Sequence, residues 1–376
     1  MLRVVQLGVL LDPQRSPSQM MNDWWAMVDT AEMVARAGAE VVVVQASRVA
    51  ETVQQREVTY HFLVPQAGRT LCGSGRFAQL LATLSPDVVH VHGLGFAQEL
   101  LDLAQCLPDT PILVQDHADG VPGIWRRRRH RRALAAVSGL AFCALGQAEP
   151  FRRSGMIAPG TRLFEIPECS SRFTPGDQDG ARGITGMAGD PAVLWVGRLN
   201  ANKDPLTVLD GVSRVMEQLP GLELWCCFGQ APLRAEVERR MAADSRLRGH
   251  VHLLGSVPHA RVEQLMRAAD LFVLGSHHEG SGFSVIEALA CGLPPVITDI
   301  PSFNALTAHG AVGALWRCED ASALAEALRR AAAQPRAAAR AAARAHFDRE
   351  LSFDAVGRKF VAAYQALRSD TALRGR

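Results

Sequence analysis

The sequence contains almost no lysine: of its 40 lysine and arginine residues, only Lys203 and Lys359 are lysines. In so arginine-rich a chain, each of these two positions is a candidate for a specific role. Acidic residues nearly balance the basic ones, so the formal net charge is only +2. A charge this small gives the protein as a whole no field that would draw it to nucleic acid.

Long hydrophobic runs are missing as well. No stretch approaches the roughly 18 uninterrupted apolar residues that a transmembrane helix requires. The apolar run within residues 1–13 is short, is interrupted by Gln6 and is followed by no small-residue cleavage site, which indicates a first strand and not a signal peptide. We therefore expect a cytoplasmic protein.

Paired cysteine motifs are the third absence. None of the cysteines has the C-x-x-C spacing of zinc or redox sites, and most lie in apolar stretches. We expect free, buried thiols in a reducing compartment, with neither disulfides nor zinc. The eight cysteines are Cys72, Cys106, Cys143, Cys169, Cys226, Cys227, Cys291 and Cys318.

The length of 376 residues is enough for two globular domains. Short apolar runs alternate with longer segments of helical period, which is typical of parallel sheets covered by helices on both faces. In the first half the expected strands are Val4–Leu11, Glu40–Gln45, Thr59–Val64, Asp87–His92, Ile112–Gln115 and Leu140–Ala144. In the second half they are Ala192–Val196, Glu223–Phe228, Val251–Leu254, Leu271–Leu274 and Pro295–Thr298.

The alternation stops in one segment, residues 169–190, which is rich in glycine, serine, aspartate and proline. We interpret residues 171–190 as a linker between an N-terminal domain over 1–170 and a second domain over 191–350. Residues 351–376 have the pattern of a C-terminal helix. A cleft between two such domains is the default place for a ligand.

The loops after two strands of the second domain point to a phosphorylated ligand. Gly280, Ser281 and Gly282 precede a helix, whose free N–H groups and dipole favour an anion. Arg198 and Lys203 follow another strand, at a spacing that lets both reach one diphosphate. The alternative is that these two cations are a surface pair that caps a loop.

Two carboxylates accompany these loops. Glu279 lies in the glycine-rich loop and Glu287 in the helix after it, and carboxylates suit the vicinal hydroxyls of a sugar or ribose. Pairing with the helix dipole is the other interpretation. His277 and His278 beside Glu279 lack the helical spacing of a metal pair, so no metal is predicted. The absence of G-x-x-x-x-G-K and G-x-G-x-x-G argues against a P-loop NTPase and an NAD enzyme.

Two runs give the chain a specific resemblance, Trp195–Pro205 and Ala269–Pro294, and Asp87–Gly93 and Ile166–Pro175 agree with it. The chain resembles a retaining glycosyltransferase of family 4. The resemblance implies an α/β fold of GT-B architecture, with two facing Rossmann-like domains, parallel sheets and an interdomain cleft. It also implies that residues 351–376 return to the N-terminal domain.

The resemblance further implies roles for individual residues. Arg198 and Lys203 would bind the diphosphate and stabilise it as it leaves, Glu287 would hold the ribose, Glu279 would contact the transferred sugar, and His117 would face it from the first domain. The remaining residues implied in nucleotide-sugar binding are Gly197, Gly229, Val257, Gly280, Ser281, Gly282 and Phe283. No metal and no other cofactor are implied.

The implied reaction is transfer of a hexosyl unit, with retention, from a UDP, GDP or ADP sugar to a hydroxyl of a glycan or lipid-linked acceptor. Such a reaction serves the synthesis of cell-surface polysaccharide or glycolipid. Alternatives on the same fold are a non-catalytic nucleotide-sugar-binding subunit, an epimerase and a phosphorylase.

The sequence departs from the family pattern on the acceptor side. The first loop lacks the usual Gly-Gly pair and carries Ser16 and Ser18, and the linker has Glu168 where the family has asparagine. Ser16, Ser18 and His92 are the acceptor-side candidates. Trp24 and Trp25 start a predicted helix, and for both residues core packing is favoured over a role as an acceptor platform.

An unusual basic run begins another helix of the first domain: Arg126–Arg132 holds six arginines and one histidine. Positive charge at a helix N-terminus opposes the helix dipole. Three interpretations are open, namely a solvated helix, contact with an anionic membrane or lipid-linked acceptor, and nucleic-acid binding. We expect no nucleic-acid partner, and a peripheral contact with the inner membrane face is the specific hypothesis.

Overall fold

The chain divides into two units in the computed structural model, which describes residues 1–374. Unit 1 comprises Met1–Cys169 together with the C-terminal residues from Phe353 onward. Unit 2 comprises Ser170–Ser352. Each unit has its own sheet, and the two sheets are described separately below.

Unit 1 is built on an eight-stranded sheet. The strands are β1 (Leu2–Gly8), β2 (Ala39–Ala46), β3 (Glu51–Gln55), β4 (Val58–Leu63), β5 (Val88–His92), β6 (Ile112–Gln115), β7 (Gly139–Phe142) and β8 (Arg162–Glu165). Their order in the sheet is β3-β4-β2-β1-β5-β6-β7-β8, and all pairs are parallel except β3 with β4.

Helices cover both faces of this sheet. They are α1 (Pro17–Asp23), α2 (Trp25–Arg36), α3 (Gly75–Leu84), α4 (Ala97–Cys106), α5 (Ile124–Ala135) and α6 (Glu149–Arg153). Strand β2 shows why both faces are covered, because its four consecutive valines, Val41–Val44, are all buried. β-branched side chains favour extended backbone and fill the core on either side of the sheet.

Unit 2 is built on a six-stranded parallel sheet. Its strands are β9 (Ala192–Gly197), β10 (Glu223–Phe228), β11 (Val251–Gly255), β12 (Leu271–Leu274), β13 (Pro295–Thr298) and β14 (Ala314–Trp316), and its helices are α7 (Gln178–Thr185), α8 (Pro205–Val215), α9 (Arg234–Ala243), α10 (His259–Ala268), α11 (Phe283–Ala290), α12 (Pro301–Leu306), α13 (Ala321–Ala332) and α14 (Arg336–His346). The sheet order is β11-β10-β9-β12-β13-β14. The order changes direction at β9, whose neighbours are β10 and β12, and ligands bind open α/β sheets at such a point.

The last helix, α15 (Phe353–Arg374), belongs to unit 1 and packs against α2. The Tyr364 hydroxyl lies 2.8 Å from His90 Nδ1 of β5, and the rings of Phe360 and His90 are 5.2 Å apart. Both aromatic side chains are fully buried. The helix therefore completes the core of unit 1.

The segment 171–190 differs from the predicted linker, since it lies within unit 2 and contains α7. The Asp177 side chain caps α7 by accepting a hydrogen bond from the Gly180 N–H, at 3.0 Å. The helix packs against α10. Two glycines, Gly180 and Gly183, lower the helix propensity of this segment, and tertiary packing overrides them.

Three further details of unit 1 depart from the predicted elements, the first being strand β8, which was not predicted. The helix expected to start at Trp24 begins one residue later as α2, and a separate helix, α1, precedes it, because the backbone of Trp24 has φ −99° and ψ 53°, outside the helical region. Strand β3 was not predicted, since its residues are mostly polar and exposed at the edge of the sheet. Among residues 1–374, no helix is both long and apolar enough to cross a membrane.

Candidate functional site

The carboxyl ends of β9 and β12 carry the main cluster of polar side chains in unit 2. Asn202 joins the two loops: its amide nitrogen donates to the carbonyl oxygen of His278 at 2.9 Å, and its side-chain oxygen accepts from the His278 N–H at 3.1 Å. The His277 N–H donates to the backbone oxygen of Asn202 at 2.8 Å. These three hydrogen bonds fix the two loops against each other.

Lys203 and Glu279 are brought together by this arrangement. The ammonium group of Lys203 forms an ion pair and hydrogen bond with Oε1 of Glu279. Their side chains are 15% and 13% exposed. A nearly buried cation is thus held beside a glycine-rich loop, where a phosphate group would find a point charge that is weakly screened by solvent.

The start of α11 provides the other half of an anion site. Gly282 has φ +61°, and a Cβ at this position would lie 2.9 Å from the Phe303 ring, so glycine is required both by the backbone and by the space. No side chain caps this end of the helix. Within residues 1–374, the buried hydroxyl of Ser281 has no hydrogen-bond partner. The Ser281 hydroxyl and the dipole of α11 can therefore both act on a phosphate group bound at this end of the helix.

Glu287 lies on α11 and is engaged by a residue that the sequence analysis did not single out. His259 Nε2, at the start of α10, lies 2.6 Å from Glu287 Oε1, and the rings of His259 and Phe173 are 4.6 Å apart. The hydrogen bond to Glu287 raises the pKa of His259. Glu287 is thus a nearly buried carboxylate, 14% exposed, with a titratable partner.

The remaining predicted residues of unit 2 line the same edge of the sheet. Arg198 follows β9 and is exposed, and no carboxylate among the described residues pairs with its guanidinium. Gly197 ends β9, Gly229 follows β10, and Val257 follows β11, so they lie at three neighbouring strand ends. A Cβ on Gly229 would meet open space, which leaves room for a ligand next to the backbone there.

Unit 1 brings together His92, His117 and Glu168. His117 follows β6, and its Nε2 lies 3.1 Å from Nδ1 of His92 at the end of β5. His117 Nδ1 lies 3.5 Å from Glu168 Oε2. Asp119 and Asp116 lie in the same loop as His117, and the Asp119 carboxylate accepts a hydrogen bond from the His117 N–H at 3.4 Å.

The pKa values of the two histidines of this cluster are shifted in opposite directions. Burial lowers the pKa of His92 well below its usual range. Burial also disfavours the charged form of His117, but the hydrogen bond to Glu168 and the charges of Asp119 and Asp116 outweigh it, so the pKa of His117 is raised. When His117 is protonated, its Nε2–H donates a hydrogen bond to Nδ1 of the neutral His92. Glu168 accordingly favours an imidazolium at His117.

A cavity of about 460 Å³ opens beside this cluster at the carboxyl ends of the strands of unit 1. His92, His117 and Glu168 line it, and Trp24 and Phe96 contribute aromatic walls. Trp24 therefore combines partial core packing with a place in a cavity wall. Trp25, for which core packing was also expected, is instead exposed.

The first loop gives its serines a local structural role. The Ser16 hydroxyl caps α1 by accepting a hydrogen bond from the Gln19 N–H at 3.3 Å, and the Gln19 side chain accepts from the Ser16 N–H at 2.9 Å. The Ser18 hydroxyl lies 3.1 Å from that of Ser16. These bonds form a capping box, so the Ser16 hydroxyl is already engaged by its own helix.

The sequence analysis assigned no role at the site to Asn202 or His259. It noted Glu168 in the linker but did not predict its contact with His117. Each acts through contacts with residues distant in the sequence, as far as 76 positions for Asn202 and His278. The only local signal was the place of Asn202 next to Lys203. Among the described residues, no group of three metal-ligating side chains is close enough to hold an ion.

Part of the chain matches a known protein family. Residues 179–346, which include every predicted site residue of unit 2, match the family model described as Glycosyl transferases group 1.

Curated relatives extend the likeness beyond that region. The chain is 27% identical over 275 residues to a GDP-mannose:cellobiosyl-diphosphopolyprenol alpha-mannosyltransferase from Xanthomonas campestris, a match that covers 70% of each chain. It is 32% identical over 195 residues to a D-inositol 3-phosphate glycosyltransferase from Geodermatophilus obscurus, which covers 50% of this chain and 42% of the relative. The chain thus spans less than half the length of the latter relative.

Solved structures resemble the chain over nearly its whole length. A glycosyltransferase from Rickettsia africae has a TM-score of 0.72 at 13% identity, with 97% of this chain and 98% of that chain covered. Anabaena HepE in complex with UDP has a TM-score of 0.70 at 16% identity, with 97% and 100% covered. This likeness confirms the predicted fold class, which is GT-B with two Rossmann-like units on parallel sheets.

Proposed function

We propose that the protein transfers a hexosyl unit from a nucleotide-diphosphate sugar to a hydroxyl group of an acceptor, because residues 179–346 match the glycosyl transferases group 1 family. We further propose that the anomeric configuration is retained. The observation that carries this proposal is the ion pair of Lys203 with Glu279 beside the uncapped start of α11. It supports a site for a diphosphate next to a carboxylate that can hold sugar hydroxyls.

The donor is proposed to lie along the carboxyl ends of β9 to β12. Lys203 and Arg198 bind the diphosphate, because both cations follow β9. Glu287 binds the ribose hydroxyls, and Glu279 binds the hydroxyls of the transferred sugar. The base lies near Gly229 and Val257, where the strand ends leave open space.

Transfer then requires one bond to form and one to break on the same face of the sugar. The acceptor oxygen forms a bond to the anomeric carbon as the bond from that carbon to the phosphate oxygen breaks. The acceptor proton passes to the leaving diphosphate, whose charge Arg198 and Lys203 stabilise. His117 is proposed to contact the transferring sugar from unit 1, with Glu168 setting its charge and orientation.

The acceptor is proposed to be a glycan or a lipid-linked sugar, in the synthesis of cell-surface polysaccharide or glycolipid. The mannosyltransferase relative is named for a diphosphopolyprenol acceptor. The cavity beside His92, with its aromatic walls, supports an acceptor that has an apolar part. We place the reaction in the cytoplasm, in keeping with the free thiols of all eight cysteines.

The experiment that tests the proposal is a thermal-shift titration with UDP, GDP, ADP and their sugar conjugates. One nucleotide family should raise the melting temperature by several degrees, and the Lys203→Ala variant should abolish this shift. Turnover of that donor with candidate acceptors, followed by NMR of the product's anomeric centre, then tests transfer and retention.

The same measurements separate the alternatives. Conversion of the donor without an acceptor would identify an epimerase, and dependence on inorganic phosphate would identify a phosphorylase. Binding of the donor without transfer to any acceptor would favour a non-catalytic subunit. The absence of a shift with every nucleotide would overturn the proposed donor site.

A further inference from the structure

Helix α5 begins with two large hydrophobic side chains that are directed into solvent. Trp125 is 98% exposed and Ile124 is 74% exposed. Leaving an indole wholly in water forgoes the burial that normally stabilises so large an apolar side chain. The two residues stand immediately before Arg126–Arg132.

The arginines of this run differ from most others in the protein in having no acidic partner. Within residues 1–374, none of the six forms an ion pair, although arginines elsewhere in both units pair with carboxylates. Their side-chain bonds go to carbonyl oxygens, from Arg127 Nε to Pro122 at 3.2 Å and from Arg131 Nη2 to Ser154 at 3.4 Å. The run is therefore an uncompensated patch of positive charge.

Helical geometry places the tryptophan and the arginines on one face. The buried residues of α5 are His130, Ala133 and Leu134, which fix the face that packs on unit 1. Residues three, four and seven positions apart share a helix face, so Trp125 lies with Arg128, Arg129 and Arg132 on the opposite, exposed face.

Further exposed hydrophobic side chains occur at the same edge of unit 1. Because the strands are parallel, the segments that follow them meet at one edge of the sheet, and α5 starts there, seven residues after His117. Leu145 follows β7, the neighbour of β6. The other exposed large hydrophobic residues at this edge are Leu10, Leu11, Trp25, Val49 and Val64.

We infer that the exposed face of α5, with Ile124 and Trp125 at its tip, docks unit 1 on an anionic lipid surface. An indole with an apolar body and a polar N–H suits the boundary between headgroups and acyl chains. The adjacent arginines suit the phosphates of anionic headgroups. A nucleic acid would match the arginines but would give no reason for the exposed Ile124 next to them.

Docking in this way would turn the carboxyl edge of unit 1, with the cavity beside His92 and His117, toward the membrane. An acceptor that is anchored in the lipid would then reach the cavity without leaving the bilayer. This consequence rests on the proposed function. The docking surface itself does not, because binding to vesicles needs neither donor nor acceptor.

The test is co-sedimentation of the full chain with vesicles of phosphatidylcholine, with and without phosphatidylglycerol. Binding should require the anionic lipid and weaken with added salt. Arg128→Gln with Arg129→Gln should weaken binding about 25-fold, since each basic residue near an anionic surface contributes about fivefold. Trp125→Ala should weaken it about tenfold at unchanged net charge.

Matched controls come from unit 2. Arg248→Gln with Arg330→Gln removes the same charge from exposed positions, and Ile184→Ala removes an exposed hydrophobic side chain. Both controls should bind like the unmodified protein. Trp125→Phe should still bind, but the quenching of tryptophan fluorescence by brominated lipids should fall. Because all these positions are exposed, the melting temperature of each variant should stay unchanged.

Three results would overturn the inference. The first is binding that does not depend on phosphatidylglycerol. The second is an equal loss of binding in the α5 arginine variant and in the unit 2 arginine control, which would indicate an effect of net charge alone. The third is full binding by Trp125→Ala while the α5 arginine variant loses affinity for both vesicles and duplex DNA, which would indicate a general polyanion site. Vesicle binding without glycosyl transfer would refute only the proposed function.

Discussion

Exchange of Glu279 for glutamine should separate nucleotide binding from sugar transfer. The Glu279 carboxylate occupies the position beside Lys203 where a phosphate oxygen is proposed to bind. The donor's diphosphate must therefore displace this carboxylate from the ammonium group. Glu279→Gln keeps the size of the side chain and removes the charge, so Lys203 is left to pair with the nucleotide alone.

The size of the effect follows from the environment of the pair. Two unit charges 4 Å apart attract by about 4 kcal/mol at an effective dielectric constant of 20. Desolvation and side-chain ordering offset most of this attraction, and exposed pairs contribute only about 0–1 kcal/mol. At 15% and 13% exposure this pair lies between the two limits, so we take about 1–2 kcal/mol. Nucleoside diphosphate should then bind Glu279→Gln roughly 5- to 30-fold more tightly.

The assay is isothermal titration of the nucleoside diphosphate, beside steady-state kinetics with the sugar nucleotide. Glu279→Gln should bind the diphosphate more tightly and yet turn over the sugar donor at least about tenfold more slowly, because a contact to the sugar is lost. Lys203→Met should weaken diphosphate binding, and the double variant should behave like Lys203→Met.

A matched control is the ion pair of Glu263 with Arg267 on α10, which is 2.6 Å long and similarly buried. Glu263→Gln should lower the melting temperature to a similar extent as Glu279→Gln and leave nucleotide affinity unchanged. If Glu279→Gln weakens diphosphate binding as much as Lys203→Met does, the carboxylate is not a competitor of the phosphate, and the reasoning fails.

Three other predictions concern single contacts. Because the pKa of His259 is raised, its ion pair with Glu287 stabilises the protein below about pH 6.5, and this stabilisation is lost as the pH rises through the higher pKa of the folded state. Loss of the ion pair leaves Glu287 available to the ribose, so nucleotide affinity should increase with pH across this range. The same titration of His259→Gln should show no such increase. Glu168→Gln should lower the pKa of His117 and shift the limb of the pH profile of kcat/KM that reports His117 to lower pH. An unshifted profile would show that the ionisation of His117 does not control that limb. Phe360→Ala should destabilise unit 1 by about 3–5 kcal/mol in urea denaturation, because its ring is fully buried; a loss below about 1 kcal/mol would show that the last helix contributes little to that core.

The parts of the site that sequence analysis located share a local signature. Glycines and charged residues that directly follow an apolar strand are placed at the carboxyl edge of a parallel sheet by topology alone. Lys203 and Gly280 could be assigned to that edge because each lies a few residues after a strand of unit 2. The sheet order then brings β9 and β12 side by side.

The parts that were missed depend on pairing between distant segments. His259 and Glu287 are 28 positions apart, and their contact arises only when α10 and α11 pack beside each other. No sequence pattern around either residue indicates that the other will be its partner. Helix α7 was not predicted for a different reason. Two glycines within eight residues lower its helix propensity, and the helix is stabilised instead by its N-cap and by packing against α10.

The placement of α15 in unit 1 has a consequence for synthesis on the ribosome. The chain leaves and re-enters unit 1 at neighbouring points, since the Ser170 hydroxyl donates to the Leu351 carbonyl at 2.5 Å. All of unit 2 therefore emerges before the helix that covers His90 does. Until that helix is synthesised, residues 1–169 expose to solvent the apolar surface that it will cover, while unit 2 already has every element of its own core. During synthesis, unit 2 should therefore become resistant to proteolysis before unit 1 does. A fragment that ends at Cys169 should need a chaperone to stay soluble, whereas the fragment 170–352 should not.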